Sequence, residues 1–408
     1  MTQIPLYYRS DLPDDKHVFK YCNGVPVQYL DHRYFILGHT TPTAYLGRFG
    51  NSFDTVFRDK VESDSRYYFP FVVSMSNLVD VIDKVTIPKS VINDIKNGKC
   101  KILVSNPFEG WHWEFWKSLV LPIMTRYNIV FDNFVFVCAN LSTDPELKTV
   151  YDNFWENQTH RDNLQSLLDR GNSSILLKTQ RTKKFICLNR RPGAARFAGV
   201  TLLYPYLDSG YLSLSLNGGV PTPEYVANQE QLFQTTFPKI HKKYLKLNLK
   251  NALPLVINDN INAAKENPVN DQSTDKFYDS FLHICAETYQ DYKPDRMFFS
   301  EKIFKPMVYM QPFVILGQPN SLSMLQSMGY KTFGSVIDER YDSIQDDNKR
   351  LHAAINSAIK FFNRPADDLH NDMIKINSIL SHNLLMLSYR EHMLGILLKD
   401  SLHKYLDE

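Results

Sequence analysis

The chain has 408 residues, about 2.7 times a ~150-residue domain, so its length predicts two domains with full-sized cores. With 43% hydrophobic and 22% charged residues, 26 Phe and 23 Tyr, a disordered polymer is excluded. Lys and Arg total 46 against 44 Asp and Glu; the formal charge of +2 excludes a global attraction to nucleic acid or anionic membrane and leaves that work to a local basic patch.

In chain order, Lys101-Ile-Leu-Val-Ser105 predicts a strand that stops at Asn106-Pro107. An aromatic-rich helix is expected from Trp111 to about Arg126. The run Phe134-Val-Phe-Val-Cys-Ala139 is apolar without alternation, which suits a strand covered on both faces of a parallel sheet. A helix is expected from Asp144 to about Asn157. The pattern breaks near Arg170-Gly-Asn-Ser-Ser174, and a second block opens with a strand at Phe185-Ile-Cys-Leu188. A helix from about Ala194 to Tyr204 comes next, and 258–276 reads as a polar loop. Strands at 281–285 and 312–317, helices at 301–310 and 321–328 and a short strand around Thr332-Phe333 complete the block, and helical periodicity runs on from Pro365. Strand–helix alternation in both blocks predicts an α/β fold of two facing Rossmann-like domains with a ligand cleft between the carboxyl ends of their strands. The expected domains are 1–178 and 183–364, with a helical segment over 365–408.

Cys22, Cys100, Cys138, Cys187 and Cys285 are dispersed and form no Cys-x-x-Cys pair, so they read as buried thiols in a reducing compartment. The first residues lack a charged region followed by an apolar one, and the apolar stretches fall far short of ~20 residues. A soluble cytoplasmic chain without a transmembrane segment is expected.

Phosphate-loop, Gly-x-Gly-x-x-Gly, Gly-x-Ser-x-Gly and His-Glu-x-x-His signatures are missing, as is any Asp-x-Asp pair. Paired carboxylates commonly hold a divalent cation on a diphosphate, so a metal-free mechanism is favoured. The informative stretch is Phe299-Ser-Glu-Lys-Ile-Phe-Lys-Pro306. Ser300 can cap a helix whose free N–H groups suit a phosphate, with Lys302 adding charge and Glu301 accepting from vicinal hydroxyls. A plain Glu-Lys pair on a capped helix reads equally well. Arg181, Lys183, Lys184, Arg190, Arg191 and Arg196 form a basic segment without an acid; guanidinium groups bind phosphate bidentately, and an interdomain hinge with solvated charges is the alternative. His283 reads as a packed core residue.

The order Ser-Glu-Lys-x-Phe-Lys-Pro, Gln-Pro-Phe-x-x-x-Gly, Gly-Tyr-Lys-Thr-Phe and Asp-Glu-x-Tyr-Asp over 281–342 resembles the C-terminal domain of glycosyltransferases with two facing Rossmann-like domains, the GT-B type. Many of these are encoded by phages and large viruses. It is also distantly similar to the α-1,3-fucosyltransferase and exostosin families, and the likeness extends in outline to 184–207. The resemblance implies that Ser300, Glu301 and Lys302 contact the donor nucleotide. It further implies that Asn189, Arg196 and Arg190 face the donor diphosphate and that Glu287 contacts the donor sugar. A viral source would make the compartment the host cytoplasm.

On the acceptor side, Glu109 comes after a strand in Asn106-Pro-Phe-Glu-Gly-Trp-His112 and is the expected general base, with His112 and His39 in reserve. Trp111 and Trp113 read as sugar-stacking or core residues. Lys239, Lys242, Lys243, Lys246 and Lys250 form either a solvated helix face or a contact for a phosphate-bearing acceptor such as DNA or a lipid-linked sugar.

The expectation is therefore an enzyme, a metal-independent hexosyl- or pentosyltransferase without a cofactor, moving a sugar from a nucleotide-diphosphate donor such as a UDP- or GDP-sugar to a hydroxyl of a glycan, protein or modified DNA. The alternatives are a DNA-modifying glycosyltransferase acting on hydroxymethylated bases and an inactive nucleotide-sugar-binding protein.

Overall fold

A computed structural model describes residues 4–8, 53–57, 66–72, 87, 89–106, 109–153, 155–156, 181–216, 222–255, 257 and 274–408. The chain divides into two compact units. The first comprises Met1–Phe154, Lys293–Phe298 and Arg390–Glu408; the second comprises Trp155–Tyr292 and Phe299–Tyr389.

The first unit holds strands β1 (Ile4–Tyr8), β2 (Phe53–Phe57), β3 (Tyr67–Val72), β4 (Cys100–Asn106), β5 (Phe134–Cys138) and β6 (Lys148–Tyr151). They form one six-stranded sheet in the order β2-β1-β3-β4-β5-β6, and every pairing is parallel. Because successive side chains point to opposite faces, each apolar run supplies both sides of the sheet. Tyr67, Phe69, Ile102, Val104, Phe134 and Phe136 pack on one side with Trp113 and Trp116. Tyr68, Leu103, Val135 and Val137 pack on the other with Leu398, Leu402 and Leu406. Helices α1 (Lys89–Lys96) and α2 (Trp113–Tyr127) supply the first cover. The second comes from a distant part of the chain, where the three leucines repeat at four-residue spacing on one helix face.

The expected helix from Asp144 to about Asn157 is corrected to a turn and a strand. Asp144 Oδ1 accepts from Glu146 N at 2.9 Å and its carbonyl accepts from Leu147 N, which closes a turn. Thr149, Val150 and Tyr151 then pair with β5, as suits β-branched and aromatic residues.

The second unit holds β7 (Lys183–Asn189), β8 (Gly210–Leu214), β9 (Ser280–Ala286) and β10 (Phe313–Leu316), all parallel, in the order β10-β9-β7-β8. Its helices are α3 (Ala194–Leu203), α4 (Pro223–Thr236), α5 (Pro238–Lys246), α6 (Leu249–Ala252), α7 (Thr274–Asp279), α8 (Glu301–Val308), α9 (Ser321–Ser327), α10 (Asp347–Phe362) and α11 (Ala366–Lys375). Helix α12 (Asn377–Asp407) begins in this unit and continues from Arg390 in the first. Ile186 packs with Phe277, Tyr278 and Tyr309, while Phe185 stacks on Phe362 at 4.8 Å.

The short strand expected at Thr332-Phe333 does not form. The amide of Phe333 donates to Glu339 Oε1 at 2.5 Å and the Thr332 hydroxyl to Glu339 Oε2 at 2.9 Å, so this backbone bonds a carboxylate instead of a neighbouring strand. The polar loop expected at 258–276 falls largely outside the described residues, apart from the start of α7 at Thr274. Cys100, Cys138, Cys187 and Cys285 are buried free thiols; Cys22 and His39 lie outside the described residues. Among the described residues, no helix is long and apolar enough to cross a membrane.

Candidate functional site

In the second unit the chain lays β8 beside one edge of β7, then returns to the other edge for β9 and β10. Strands β7 and β9 are therefore neighbours whose connections depart in opposite directions. In a doubly wound sheet this switch point opens a crevice at the carboxyl ends of the two strands. Ile186 pairs with His283, and three residues further along the same register Asn189 ends β7 opposite the end of β9, just before Glu287.

Glu287 is 2% exposed and holds the centre of this edge. Its Oε2 accepts from the Ser300 hydroxyl at 2.6 Å, from Ser300 N at 3.2 Å and from Thr288 N at 3.1 Å. Burial pushes its carboxyl up, against the opposing pull of Lys302 and the Ser300 hydrogen bonds. Ser300 also caps α8, because its hydroxyl accepts from Lys302 N at 3.4 Å. Lys302 Nζ reaches back to the Ser300 hydroxyl at 2.9 Å, the Thr288 hydroxyl at 3.3 Å and Glu301 Oε1 at 3.2 Å. Burial raises the Glu301 carboxyl, but Lys302 and Lys305 outweigh it and hold the group below its ordinary value. Two carboxylates of opposite shift thus flank one ammonium, a pattern that separates a group able to hold a proton from one that stays ionised.

Two arginines stand at the end of β7. Arg196, on the first turns of α3, donates to the carbonyl of Arg191 at 3.1 Å. Burial lowers its guanidinium value, and Glu301 and Glu287 oppose that shift by their charge. Arg190 is likewise lowered by burial and by Arg191, with Glu301 opposing. Gly193 is the N-cap of α3 and has no side chain to bond the first turn, so the amide groups there carry no side-chain cap at the end of the helix nearest Asn189 in the chain.

Three acceptors at this edge lack donors: Asn189 Oδ1, Glu287 Oε1 and Gln290 Oε1 are buried without a hydrogen-bond partner. Each unmet acceptor costs about 1–3 kcal/mol, so a cluster of them at a switch point is suited to a ligand rich in O–H or N–H donors. Gly317 keeps the edge narrow, since a Cβ there would meet Ile315 Cγ2 at 2.8 Å and Glu287 Cβ at 3.5 Å.

Compared with protein families, curated proteins and solved structures, the chain matches none.

The structure brings Asn189, Arg190, Arg196, Glu287, Ser300, Glu301 and Lys302 to the carboxyl edge of one sheet. Glu109 belongs to the first unit, just beyond the end of β4, beside Gly110, where an added Cβ would collide with Phe298. His112 caps α2: its Nδ1 accepts from Phe115 N at 3.3 Å and lies 3.6 Å from Asp295 Oδ2, so this ring nitrogen is engaged within the first unit. Trp113 is fully buried against the sheet, while Trp111 is partly buried and packs on Phe115 at 4.6 Å. His283 is buried on β9 against Phe277, and burial brings its imidazole down to about 3, a neutral core group. Among the described residues, no group of three or more His, Cys, Asp or Glu is placed to hold a metal.

Sequence reading missed Thr288, Gln290 and Arg350. Arg350 is 3% exposed and its guanidinium bonds the carbonyls of Gly317, Ile344, Gln345 and Gln290, together with Asp347. It ties the loops after β9 and β10 together. Gln290 lies three residues past Glu287, and that place in the loop beyond a strand end is a signal the sequence carries; Arg350 lies in the first turn of α10 and gives no such signal.

Proposed function

We propose that the chain is a glycosyltransferase of the two-Rossmann-domain type, binding a nucleotide-diphosphate sugar at the carboxyl edge of the second unit. The observation that carries this reading is the pairing of the donorless acceptors Asn189 Oδ1 and Glu287 Oε1 with the cations Arg196 and Lys302 at one switch point. A sugar nucleotide presents both halves of the complement, hydroxyl donors and a diphosphate. Glu301, held ionised by its lysine neighbours, is suited to accept from the ribose hydroxyls. Arg196, Lys302 and the start of α3 supply positive charge where the diphosphate leaves, which lowers the barrier without requiring a metal. Glu109 of the first unit is the proposed base for the acceptor hydroxyl. The resemblance of the Ser300-Glu301-Lys302 segment to fucosyltransferase-like donor sites supports the same assignment.

A thermal-shift panel of UDP- and GDP-sugars, followed by a turnover assay with the best binder, tests the reading. Stabilisation should rise with ligand concentration by mass action and vanish in Lys302→Ala. Binding without turnover would point to a nucleotide-sugar-binding protein, and no response to any nucleotide sugar would remove the proposal.

A further inference from the structure

The near-neutral net charge conceals one surface with an excess of cations. On α5, Ile240 and Tyr244 are buried, and Tyr244 packs against Phe233 of α4 at 5.5 Å. The opposite face of the same helix carries Lys239, Lys242 and Lys246 at positions i, i+3 and i+7, all exposed. Lys243 lies at its margin. None of these four lysines has an acidic partner among the described residues, whereas Lys250, just beyond, pairs with Glu230 at 3.2 Å. Their field reaches inward: burial lowers the His352 imidazole, and Lys243 and Lys239 lower it further.

The same face is not purely basic. Leu245 sits between Lys242 and Lys246 and is 56% exposed, and Leu232 on α4 is 50% exposed. These leucines are the chain neighbours of the packed pair Phe233–Tyr244. A phosphate backbone has no use for an exposed leucine among the lysines. A bilayer interface takes both, with leucine in the acyl boundary and the ammonium groups at the headgroups on long apolar stems.

We propose that the outward face of α5, formed by Lys239, Lys242, Leu245 and Lys246, docks the protein reversibly on an anionic lipid surface. Lysines supply attraction to the charged headgroups and Leu245 the apolar anchor. One short helix face with a single exposed leucine to offer the bilayer gives a peripheral, salt-sensitive contact and not an insertion. The residues of this docking face are not among those placed at the switch point.

Co-sedimentation of the full chain with vesicles of phosphatidylcholine, with and without phosphatidylserine, tests the proposal. Binding is expected only to the phosphatidylserine vesicles and should fall as salt is raised. Each lysine neutralised should weaken partitioning roughly five-fold, so the triple variant Lys239→Gln, Lys242→Gln, Lys246→Gln should lose roughly a hundred-fold. Leu245→Ser should weaken binding while leaving the salt dependence unchanged. All four positions are exposed, and thermal melts of the variants should match the parent. Absence of binding to phosphatidylserine vesicles would overturn the inference, as would binding that survives the triple variant. Binding of duplex DNA through the same lysines, indifferent to Leu245→Ser, would assign the face to nucleic acid instead.

Discussion

The Ser300 hydroxyl donates to Glu287 Oε2 across 2.6 Å, joining the first residue after β9 to the residue that starts α8. The bond spans 13 positions of chain and sits under the ammonium of Lys302, so one small side chain holds a carboxylate, a helix start and a cation in register. Ser300→Ala removes a hydrogen bond to an acid and a helix cap together. It should cost about 2–4 kcal/mol of unfolding free energy, read as a lower urea midpoint with an unchanged slope.

Burial raises the Glu287 carboxyl, so the folded chain holds this proton more tightly than the unfolded chain does. The stability so contributed is complete below the ordinary carboxylate value and is lost as pH rises through the raised value. Glu287→Gln deletes the term. Relative to the parent, the variant should therefore gain stability progressively as pH rises above the ordinary carboxylate value of about 4, through the range where Glu287 loses its proton. Parallel urea titrations of the two proteins across that range should show curves that converge or cross; a constant offset at every pH would rule out the shift.

The amide of Ile315, in the middle of β10, donates to the Tyr341 hydroxyl at 3.1 Å in a buried setting. Tyr341→Phe keeps the ring and strands that amide without an acceptor. A loss of about 1–3 kcal/mol is expected, with faster hydrogen exchange at Ile315 as the specific signature.

Arg350→Met should be more damaging, because carbonyls on three separate segments lose their donor at once. The expected loss exceeds about 3 kcal/mol, and any ligand affinity measured for the parent should fall even under conditions where the variant is folded. A melt that matches the parent would show the guanidinium bonds to be dispensable.

For the proposed transferase, Lys302→Ala should abolish donor binding and Glu109→Gln should leave donor affinity intact while stopping transfer. Isothermal titration with the donor, paired with a single-turnover assay, separates the two effects. Transfer retained by Glu109→Gln would dismiss it as the base.

Three of the four strands of the second unit, β7, β9 and β10, were legible as short apolar runs, two of them closed by a polar residue at Leu188-Asn189 and Ala286-Glu287, whereas the alternating Gly210–Leu214 offers no such run and was not expected. The placing of Asn189 and Glu287 at one edge of the sheet was legible for the same reason, since parallel strands bring their carboxyl ends to one side. Thr332-Phe333 misled because two apolar or β-branched residues look alike whether their amides meet a strand or a carboxylate such as Glu339. Lys148–Tyr151 misled because four residues are too few to establish a period, and only the register with β5 decides. Likewise Tyr330 and Asp342, in segments that resemble a donor site, serve the scaffold here. The Tyr330 hydroxyl donates to Glu156 at 2.6 Å, and Asp342 accepts from the Leu322 and Ser323 amides at the start of α9.

The sheet of the first unit is sealed by leucines more than 250 residues further along the chain than Tyr68, Leu103, Val135 and Val137, which they cover. Tyr68 donates to the carbonyl of Leu402 at 2.6 Å, and Arg66 to those of Leu406 and Asp407. During translation, at roughly 5–20 residues per second, the apolar row of Tyr68, Leu103, Val135 and Val137 must wait ten seconds or more for its cover. The second unit has every segment it needs before then. The part of the protein made first is thus the last to be completed, and through that interval a nascent-chain chaperone would find its binding surface on the uncovered side of the first sheet.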